Sequence, residues 1–355
     1  MRFGAFGAYT DPAKRFNPMR IHRFLAVVSL AALLISPVRT NAASTAPTPV
    51  KIAIALEVGG VGDNSFNDAV VSATRAVQKK YKIADSYIRI VPTDGTAPDR
   101  FFRLKFLAKA GYNLIIAIGA DYAPAIQRAS IEFPDVQYAL VNSDAVASMN
   151  VSCLVFDDSE AAFLAGVVAA TSSKSGKVAF VSDASEIQKN FYNSFRAGAR
   201  YGNNKVATLA ISFTNSTFDL NNSIANGVDV IYSTRVVDGE VFNLISKANL
   251  KKHKVWLIAQ SPDQYYANLL SAKKDILVSL DKRIDRAISD VMTLAITGGS
   301  ILDIVDDSKS IYGRTYNFKN SGLNLSFRNP VTAATKTAVT RAITEIKSGK
   351  VSTKG

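Results

Sequence analysis

Short apolar runs and longer amphipathic stretches alternate along the chain from residue 50 onward. The first run, Val50–Leu56, predicts a buried strand, and in Phe66–Lys80 the apolar residues fall on one face of a helix. Ser65 is predicted to cap that helix, with Asp68 as its capping-box partner. Many apolar strands that are each followed by a helix indicate an α/β fold of parallel sheets with helices on both faces.

The alternation divides into two series. Further strands are predicted at Tyr87–Val91, Leu114–Ile118, Val136–Val141, Val151–Phe156, Lys177–Val181, Val206–Phe213, Val228–Tyr232, Lys254–Ala259 and Ile276–Leu280. Further helices are predicted at Pro98–Ala110, Tyr122–Phe133, Ala161–Thr171 (capped by Ser159), Gln188–Tyr201, Leu220–Asn226, Val237–Asn249, Gln264–Ala272 and Arg283–Thr297. Two series require two sheets, so we predict two lobes joined by several crossovers. A ligand is expected between the lobes, at the carboxyl ends of the strands.

The end of the chain departs from this alternation. Ser310–Phe318 and Leu323–Phe327 predict a short antiparallel pair around a turn, and Pro330 is predicted to open a last helix, Val331–Lys347. We therefore assign residues 50–156 and about 261–300 to the first lobe, and residues 157–260 and about 301–355 to the second.

Residues 1–43 are predicted to lie outside the fold as a lead-in and secretory signal peptide, and 44–49 as a linker. Basic residues around His22 precede the apolar run Phe24–Ile35, and small residues follow it. The run is shorter than the roughly 20 apolar residues of a membrane span. This pattern predicts export across the cytoplasmic membrane to the periplasm or cell surface. An uncleaved signal anchor and a start at Met19 remain alternatives, and no cysteine is placed to carry a lipid anchor.

The formal charge of +13 does not by itself indicate a nucleic-acid partner. Lysines and arginines are scattered, and the run at Lys251–Lys254 is too short for a nucleic-acid-binding arm. We interpret the charge as a general surface property, with contact to an anionic envelope as the alternative. No nucleic-acid partner is expected.

The chain is poor in catalytic residue types. Cys153 is the only cysteine and lies in an apolar run, which predicts a buried structural thiol. Only two histidines occur, and no metal-binding or nucleophile motif is present. We therefore expect neither an enzyme nor a cofactor, although catalysis by paired carboxylates stays open.

The glycine-rich stretch Val58–Asp68 joins the first strand to the first helix. It has the spacing of neither a phosphate-binding loop nor a dinucleotide fingerprint. In an open α/β sheet this loop lies where ligands bind. Aromatic residues at junctions of loops and elements can stack on planar ligands: Phe66, Phe213 and Phe218. Polar residues at strand ends can bond ring nitrogens, hydroxyls or other ligand groups: Glu57, Asp63, Asn142, Asp144 and Lys282.

Several motifs occur in an order that is fairly specific. They are Gly59-Gly60 with Asp63-Asn64-Ser65-Phe66-Asn67, Leu114–Gly119, Phe133–Val136, Tyr138–Leu140, Phe163–Ala170, Phe195–Gly198, Asp263-Gln264, and Ser279 with Lys282. Together they resemble the basic membrane protein family, which includes the purine nucleoside receptor lipoproteins. The resemblance implies the two-lobed type I periplasmic-binding-protein fold and a substrate-binding role in an ABC importer.

The resemblance also implies a ligand site. In purine-binding members two phenylalanines sandwich the base, and acids and a lysine hold base and ribose. Phe66 and Asn64 match the first phenylalanine and its motif, and Lys282 matches the lysine. Phe213 and Phe218 are candidates for the second ring. Where the family carries acids, this chain has Glu57 in place of aspartate, Asn142 with Asp144 nearby, and Ser261.

We therefore predict an extracytoplasmic substrate-binding protein that binds a nucleoside, with a purine favoured. Its partners would be the ligand and an ABC transporter permease. Membrane association would run through the permease or an uncleaved leader, and the protein is expected to be a monomer. Two alternatives are kept. One is an envelope nucleosidase that uses carboxylates, and the other is a surface adhesin or antigen that retains the fold without transport.

Overall fold

A computed structural model describes residues 50–63, 65–182, 185–212, 218–234, 239–251, 254–261, 273–306 and 311–355. The predicted leader and linker, and the predicted helix Gln264–Ala272, lie outside these residues. The strands are β1 Ile52–Ala55, β2 Ile88–Val91, β3 Leu114–Ile118, β4 Gln137–Val141, β5 Val151–Phe156, β6 Lys177–Ser182, β7 Ala207–Ser212, β8 Val230–Ser233, β9 Trp256–Ser261, β10 Ile276–Lys282, β11 Val305–Asp306, β12 Ile311–Tyr316 and β13 Leu323–Phe327. The helices are α1 Phe66–Tyr81, α2 Ala97–Lys109, α3 Ala123–Glu132, α4 Asp158–Ser172, α5 Glu186–Gly202, α6 Phe218–Ala225, α7 Gly239–Leu250, α8 Ile284–Ile296 and α9 Ala333–Lys347.

The strands form two sheets, as the two predicted series require. The first sheet has the order β11-β12-β5-β4-β3-β1-β2, and the second has the order β13-β10-β9-β8-β6-β7. Pairing is parallel except at β11 with β12 and at β13 with β10. The prediction of two mostly parallel sheets is therefore confirmed.

Each sheet is covered by helices on both faces because successive strand residues point to opposite sides. In β1, Ile52 and Ile54 belong to a core that also contains apolar residues of α1 and α8, whereas Ala53 and Ala55 pack with those of α2 and α3. The first of these cores continues into the second sheet under α4, α5 and α9, and α6 and α7 cover that sheet's other face. Helix α4 is buried all round from Ala161 to Ala170, which explains its lack of a polar face.

Two predictions for the end of the chain are wrong. The predicted antiparallel pair does not form: β12 pairs in parallel with β5, and β13 pairs with β10 in the other sheet. Sequence neighbours usually pair, but here the turn between them carries the chain from one sheet to the other. It is closed by a hydrogen bond from Gly322 N to Asn317 O of 2.7 Å. The last helix also begins later than Pro330, after the cap Thr332.

The predicted division of the tail between the lobes also differs from the sheet membership. Strand β10, assigned to the first lobe, belongs to the second sheet, while α8 does pack on α1 beside the first. Strands β11 and β12, assigned to the second lobe, belong to the first sheet. The chain therefore crosses between the sheets after β5, after β10 and after β12.

Backbone hydrogen bonds tie these three crossovers together. Asp157 N donates to Tyr316 O at 2.9 Å, and Arg283 N donates to Gly322 O at 3.0 Å. Asp157 also caps α4 by accepting from the backbone N–H groups of Ser159 and Glu160, each at 3.1 Å. The prediction that Ser159 caps this helix is wrong, because Asp157, two residues earlier, is the N-cap and its carboxylate accepts from the free N–H groups.

Candidate ligand-binding site

A cavity of about 220 Å³ opens at the carboxyl ends of β1, β3 and β4, the edge where α/β sheets bind ligands. Its walls come from the glycine-rich loop, the start of α1 and the residues just past β3 and β4. The lining residues are Glu57, Val58, Asp63, Ser65, Phe66, Asn67, Ile118, Gly119 and Asn142. The structure thus brings Glu57, Asp63, Phe66 and Asn142, four of the predicted site residues, to one cavity.

Asp63 organises the loop and the start of α1. Its Oδ1 accepts from the backbone N–H groups of Ser65 at 2.9 Å and Asp68 at 3.1 Å, and its Oδ2 accepts from that of Asn67 at 3.0 Å. The predicted capping box is wrong. The Ser65 side chain makes no capping bond, and Asp68 instead accepts from Gly62 N at 2.7 Å. Asp63 is thus a helix cap, and its carboxylate is engaged with backbone.

Glu57 is held in a bidentate ion pair with Arg100. Arg100 Nε donates to Glu57 Oε1 at 3.0 Å and Nη2 donates to Oε2 at 2.9 Å. Arg100 is 6% exposed, and its hydrogen bond to Glu57 raises the pKa of the guanidinium above its usual range, so it stays charged. The cavity wall therefore presents a paired carboxylate.

Asn67 fixes the backbone of the same wall. Its Oδ1 accepts from Glu57 N at 3.1 Å, and its Nδ2 donates to the carbonyl oxygens of Glu57 and Val58, each at 3.3 Å. Asn67 is buried on α1, so it ties the start of the helix to the backbone just past β1. Phe66, the adjacent residue, is half-buried, lines the cavity and packs against the main core.

Lys282 joins the cavity wall to the second sheet. It ends β10, is 8% exposed, and its Nζ donates to Asn142 Oδ1 at 3.0 Å. The same Nζ lies 2.9 Å and 3.0 Å from the two carboxylate oxygens of Asp158, the first residue of α4. Asn142 follows β4 with φ of 68°, a left-handed conformation that asparagine tolerates. One lysine thus links the carboxyl ends of both sheets.

Other predicted site residues are placed elsewhere or lie outside the described residues. Asp144 is exposed and does not line the cavity, and Phe218 is 68% exposed at the start of α6. Ser261 ends β9 opposite Asp281 of β10. Asn64 and Phe213 lie outside the described residues. No second aromatic wall can therefore be assigned from the part of the chain that the structure describes.

The residues that the sequence did not single out are the partners of those it did. Arg100 and Asp158 complete the two ion pairs, and Asn67, which the sequence shows only as part of a motif, holds the backbone of Glu57. Asp157 is the helix cap, whereas Asp158, the next residue, pairs with Lys282. The adjacency of the acids Asp157 and Asp158 at the start of α4 is the only sequence signal for Asp158, and there is none for Arg100.

Glu160, in the first turn of α4, is an acid whose pKa is shifted by its surroundings. Burial raises its pKa to about 7, and repulsion by Asp157 adds to this, while the hydrogen bond from Phe318 N opposes it. That bond is 2.8 Å long and joins α4 to the crossover after β12. Within the described ranges, no three His, Cys, Asp or Glu side chains are grouped to hold a metal ion.

Two mostly parallel sheets, with a cavity at the carboxyl ends of β1, β3 and β4 in the first, define a two-lobed α/β protein. Residues 50–311 match the family described as "ABC transporter substrate-binding protein PnrA-like", and the chain belongs to this family. It is 29% identical over 322 residues to the ABC transporter nucleoside-binding protein BmpA of Lactococcus lactis, covering 86% of this chain and 89% of that protein.

Other comparisons agree with this assignment. The chain is 28% identical over 242 residues to basic membrane protein A1 of Borrelia garinii, covering 65% of this chain and 68% of that protein. The resemblance deduced from the motifs is thus confirmed. An ABC transporter solute-binding protein from Aeropyrum pernix shares the fold with a TM-score of 0.63 at 18% identity, covering 86% of this chain and 93% of that one.

The family assignment establishes a coarse function. Its members are substrate-binding proteins of ABC transporters, which act outside the cytoplasm and bind a small molecule for a permease. Among the helices of the described ranges, none combines the length and apolar character needed to cross a bilayer.

Proposed function

We propose that this protein binds a nucleoside, with a purine favoured, and delivers it to an ABC transporter permease. The observation that carries the proposal is the grouping of Phe66, Glu57 and Asn142 around one cavity, with Lys282 hydrogen-bonded to Asn142. These supply the three kinds of contact that a nucleoside needs: a flat apolar ring, an acceptor and a mixed donor–acceptor wall. The name of the Lactococcus lactis relative supports the same ligand class.

The charges at the site suit an uncharged ligand. Glu57 is neutralised by Arg100, and Lys282 is neutralised by Asp158. A base can stack on Phe66, which adds about 0.5–1.5 kcal/mol beyond burial. The hydroxyls of a sugar can both donate and accept, so they match the amide of Asn142, which lines the cavity and is held by Lys282.

Calorimetric titration with inosine, guanosine, adenosine, uridine and cytidine tests the proposal. We expect saturable binding of at least one purine nucleoside, and about tenfold weaker binding by Phe66→Ala because its stacking and burial are lost. Phe102→Ala is the matched control, since Phe102 is 65% exposed and lies outside this cavity. Absence of binding to all five nucleosides would refute the proposed ligand class.

The same samples distinguish binding from turnover and give the oligomeric state. Incubation with the bound nucleoside, followed by chromatography, should return the nucleoside intact; release of free base would favour a nucleosidase. Light scattering is expected to give the mass of a monomer. Mass spectrometry of small molecules that co-purify with the protein would identify a tightly held natural ligand.

A further inference from the structure

The Glu57 carboxylate has nearly all of its acceptor capacity in use. Oε2 accepts from Arg100 Nη2 at 2.9 Å and from Val58 N at 3.2 Å. Oε1 accepts from Arg100 Nε at 3.0 Å. A carboxylate offers about four lone-pair sites. Among the described residues, three of them are therefore occupied, and one acceptor position of Oε1 is left over.

The orientation of Glu57 is fixed from several sides. Gly119 faces it so closely that a Cβ there would lie 2.9 Å from Glu57 Cγ. Asn67 holds both the N–H and the carbonyl of Glu57. Arg100 is itself anchored by a third contact, from Nη1 to Gly95 O at 2.7 Å. The carboxylate cannot turn without breaking the fork of two parallel hydrogen bonds.

We propose that Arg100 is a positioning residue that presents Glu57 to the ligand as a fixed hydrogen-bond acceptor with room for one donor. This inference rests on the proposed function and adds a rule for ligand specificity. The cavity selects nucleosides whose edge facing Glu57 carries an N–H donor. A group that only accepts would meet the carboxylate unpaired, and such a mismatch is strongly disfavoured once the bound ligand excludes water from the site.

Asp121 provides an internal control for this role. Its carboxylate lies 3.2 Å from the same Arg100 Nη2, but its side chain is 74% exposed and it does not line the cavity. Removing Asp121 takes one partner from Arg100 and leaves the fork to Glu57 in place. An Arg100 that acts through Glu57 should therefore tolerate Asp121→Asn.

A double-mutant cycle measured by calorimetry tests the proposal. The proteins are the wild type, Glu57→Gln, Arg100→Met, the double variant, and Asp121→Asn. The ligands are two matched pairs in which a methyl blocks a donor: inosine with 1-methylinosine, and adenosine with N6,N6-dimethyladenosine. Circular dichroism and thermal unfolding establish that each variant is folded, and Arg100→Lys, which keeps the charge without the fork, replaces Arg100→Met if that variant does not fold.

We expect the wild type to prefer the unblocked member of at least one pair by about tenfold or more. Glu57→Gln and Arg100→Met should each reduce that preference to about threefold or less, and the double variant should bind within about threefold of the weaker single variant. Asp121→Asn should retain the preference. Additive losses in the double variant, or an unchanged preference in Arg100→Met, would overturn the positioning role. If the wild type binds no nucleoside, it is the proposed function that fails.

Discussion

At the scale of single residues, two acids of the same cavity have separate roles. Among the described residues, Asp63 accepts from three backbone N–H groups, whereas Glu57 is paired with a side chain. Glu57 follows a strand and Asp63 lies in the glycine-rich loop, but these positions in the sequence do not predict the different roles. The difference lies in which donors the fold brings near, and it predicts different consequences of mutation.

Replacement of Asp63 by alanine should act mainly on stability. Three backbone N–H groups at the start of α1 would lose their acceptor, so we expect the free energy of unfolding to fall by about 1–2 kcal/mol. Denaturant unfolding measures this, with Asp144→Ala as the control because Asp144 is exposed. Unchanged stability combined with a large loss of nucleoside affinity would instead assign Asp63 to the ligand.

Glu160 predicts a pH-dependent stability. Burial raises its pKa from 4.5 to about 7, so between these values the folded protein keeps a proton that the unfolded chain has lost. The stabilisation that this proton provides is complete at low pH and is lost as pH rises toward 7. Glu160→Gln keeps an acceptor for Phe318 N and stays neutral. Its free energy of unfolding relative to wild type should rise by on the order of 1 kcal/mol between pH 5 and pH 8, after discounting for partial exposure.

Urea unfolding of both proteins at pH 5 and pH 8 measures that difference. Asp157 caps the same helix and repels Glu160, so Asp157→Asn serves as a comparison that changes the neighbouring charge. A difference between wild type and Glu160→Gln that does not change with pH would show that Glu160 is ionised throughout.

The individual contacts of the site were only partly predictable from sequence. Phe66, Glu57 and Asn142 follow strands that meet at one sheet edge, so topology alone groups them. Arg100 lies in the first turn of α2, 43 residues from its partner Glu57. Asp158 and its partner Lys282 are 124 residues apart in the sequence. Such partners depend on the packing of elements, which a residue pattern does not encode.

At the scale of elements, helices α4 and α5 touch through their backbones. A Cβ at Gly198 would lie 1.8 Å from Phe163 O, and one at Gly166 would lie 2.0 Å from Phe195 O. These glycines belong to the two phenylalanine–glycine motifs of the sequence. The motifs that indicated the family therefore have a structural meaning, which is the close approach of this helix pair.

Alanine substitutions along this contact should form a graded series. Gly198→Ala places a methyl against backbone that cannot move aside, so we expect a loss of stability of about 3 kcal/mol or more, or failure to fold. Gly202→Ala should cost less, about 1 kcal/mol, because its Cβ would lie 3.0 Å from Val167 O. Thermal unfolding measures the order, and equal effects at both positions would contradict the close contact.

Element types were predictable because apolar strands and amphipathic helices differ in period. Partners of the late strands were not. Gly313 in β12 packs so closely on β5 that a Cβ would lie 1.8 Å from Cys153 O. The local sequence around Gly313 does not indicate that β5 is its neighbour. The turn residues near Asn320 predict that the chain changes direction, but they do not predict which sheet the next strand joins.

At the scale of the whole molecule, three crossovers join the sheets and Lys282 bridges their carboxyl ends. Closure of such lobes around a ligand is a hinge motion. Small-angle scattering should therefore show a smaller radius of gyration with saturating nucleoside than without it. Phe66→Ala, whose dissociation constant is expected to be about tenfold larger, should need about tenfold more nucleoside to reach the same radius of gyration. Identical curves for wild type in both conditions would exclude closure.

The buried thiol of Cys153 has a practical consequence for observing that motion. Cys153 is the single cysteine of the chain, its Sγ–H donates to Val146 O at 3.3 Å, and burial raises its pKa. The native protein should thus be inert to maleimides, and it should become reactive only when unfolded. Cysteines introduced at exposed positions of the two lobes would then carry fluorophores selectively, and energy transfer between them would follow opening and closing in single molecules.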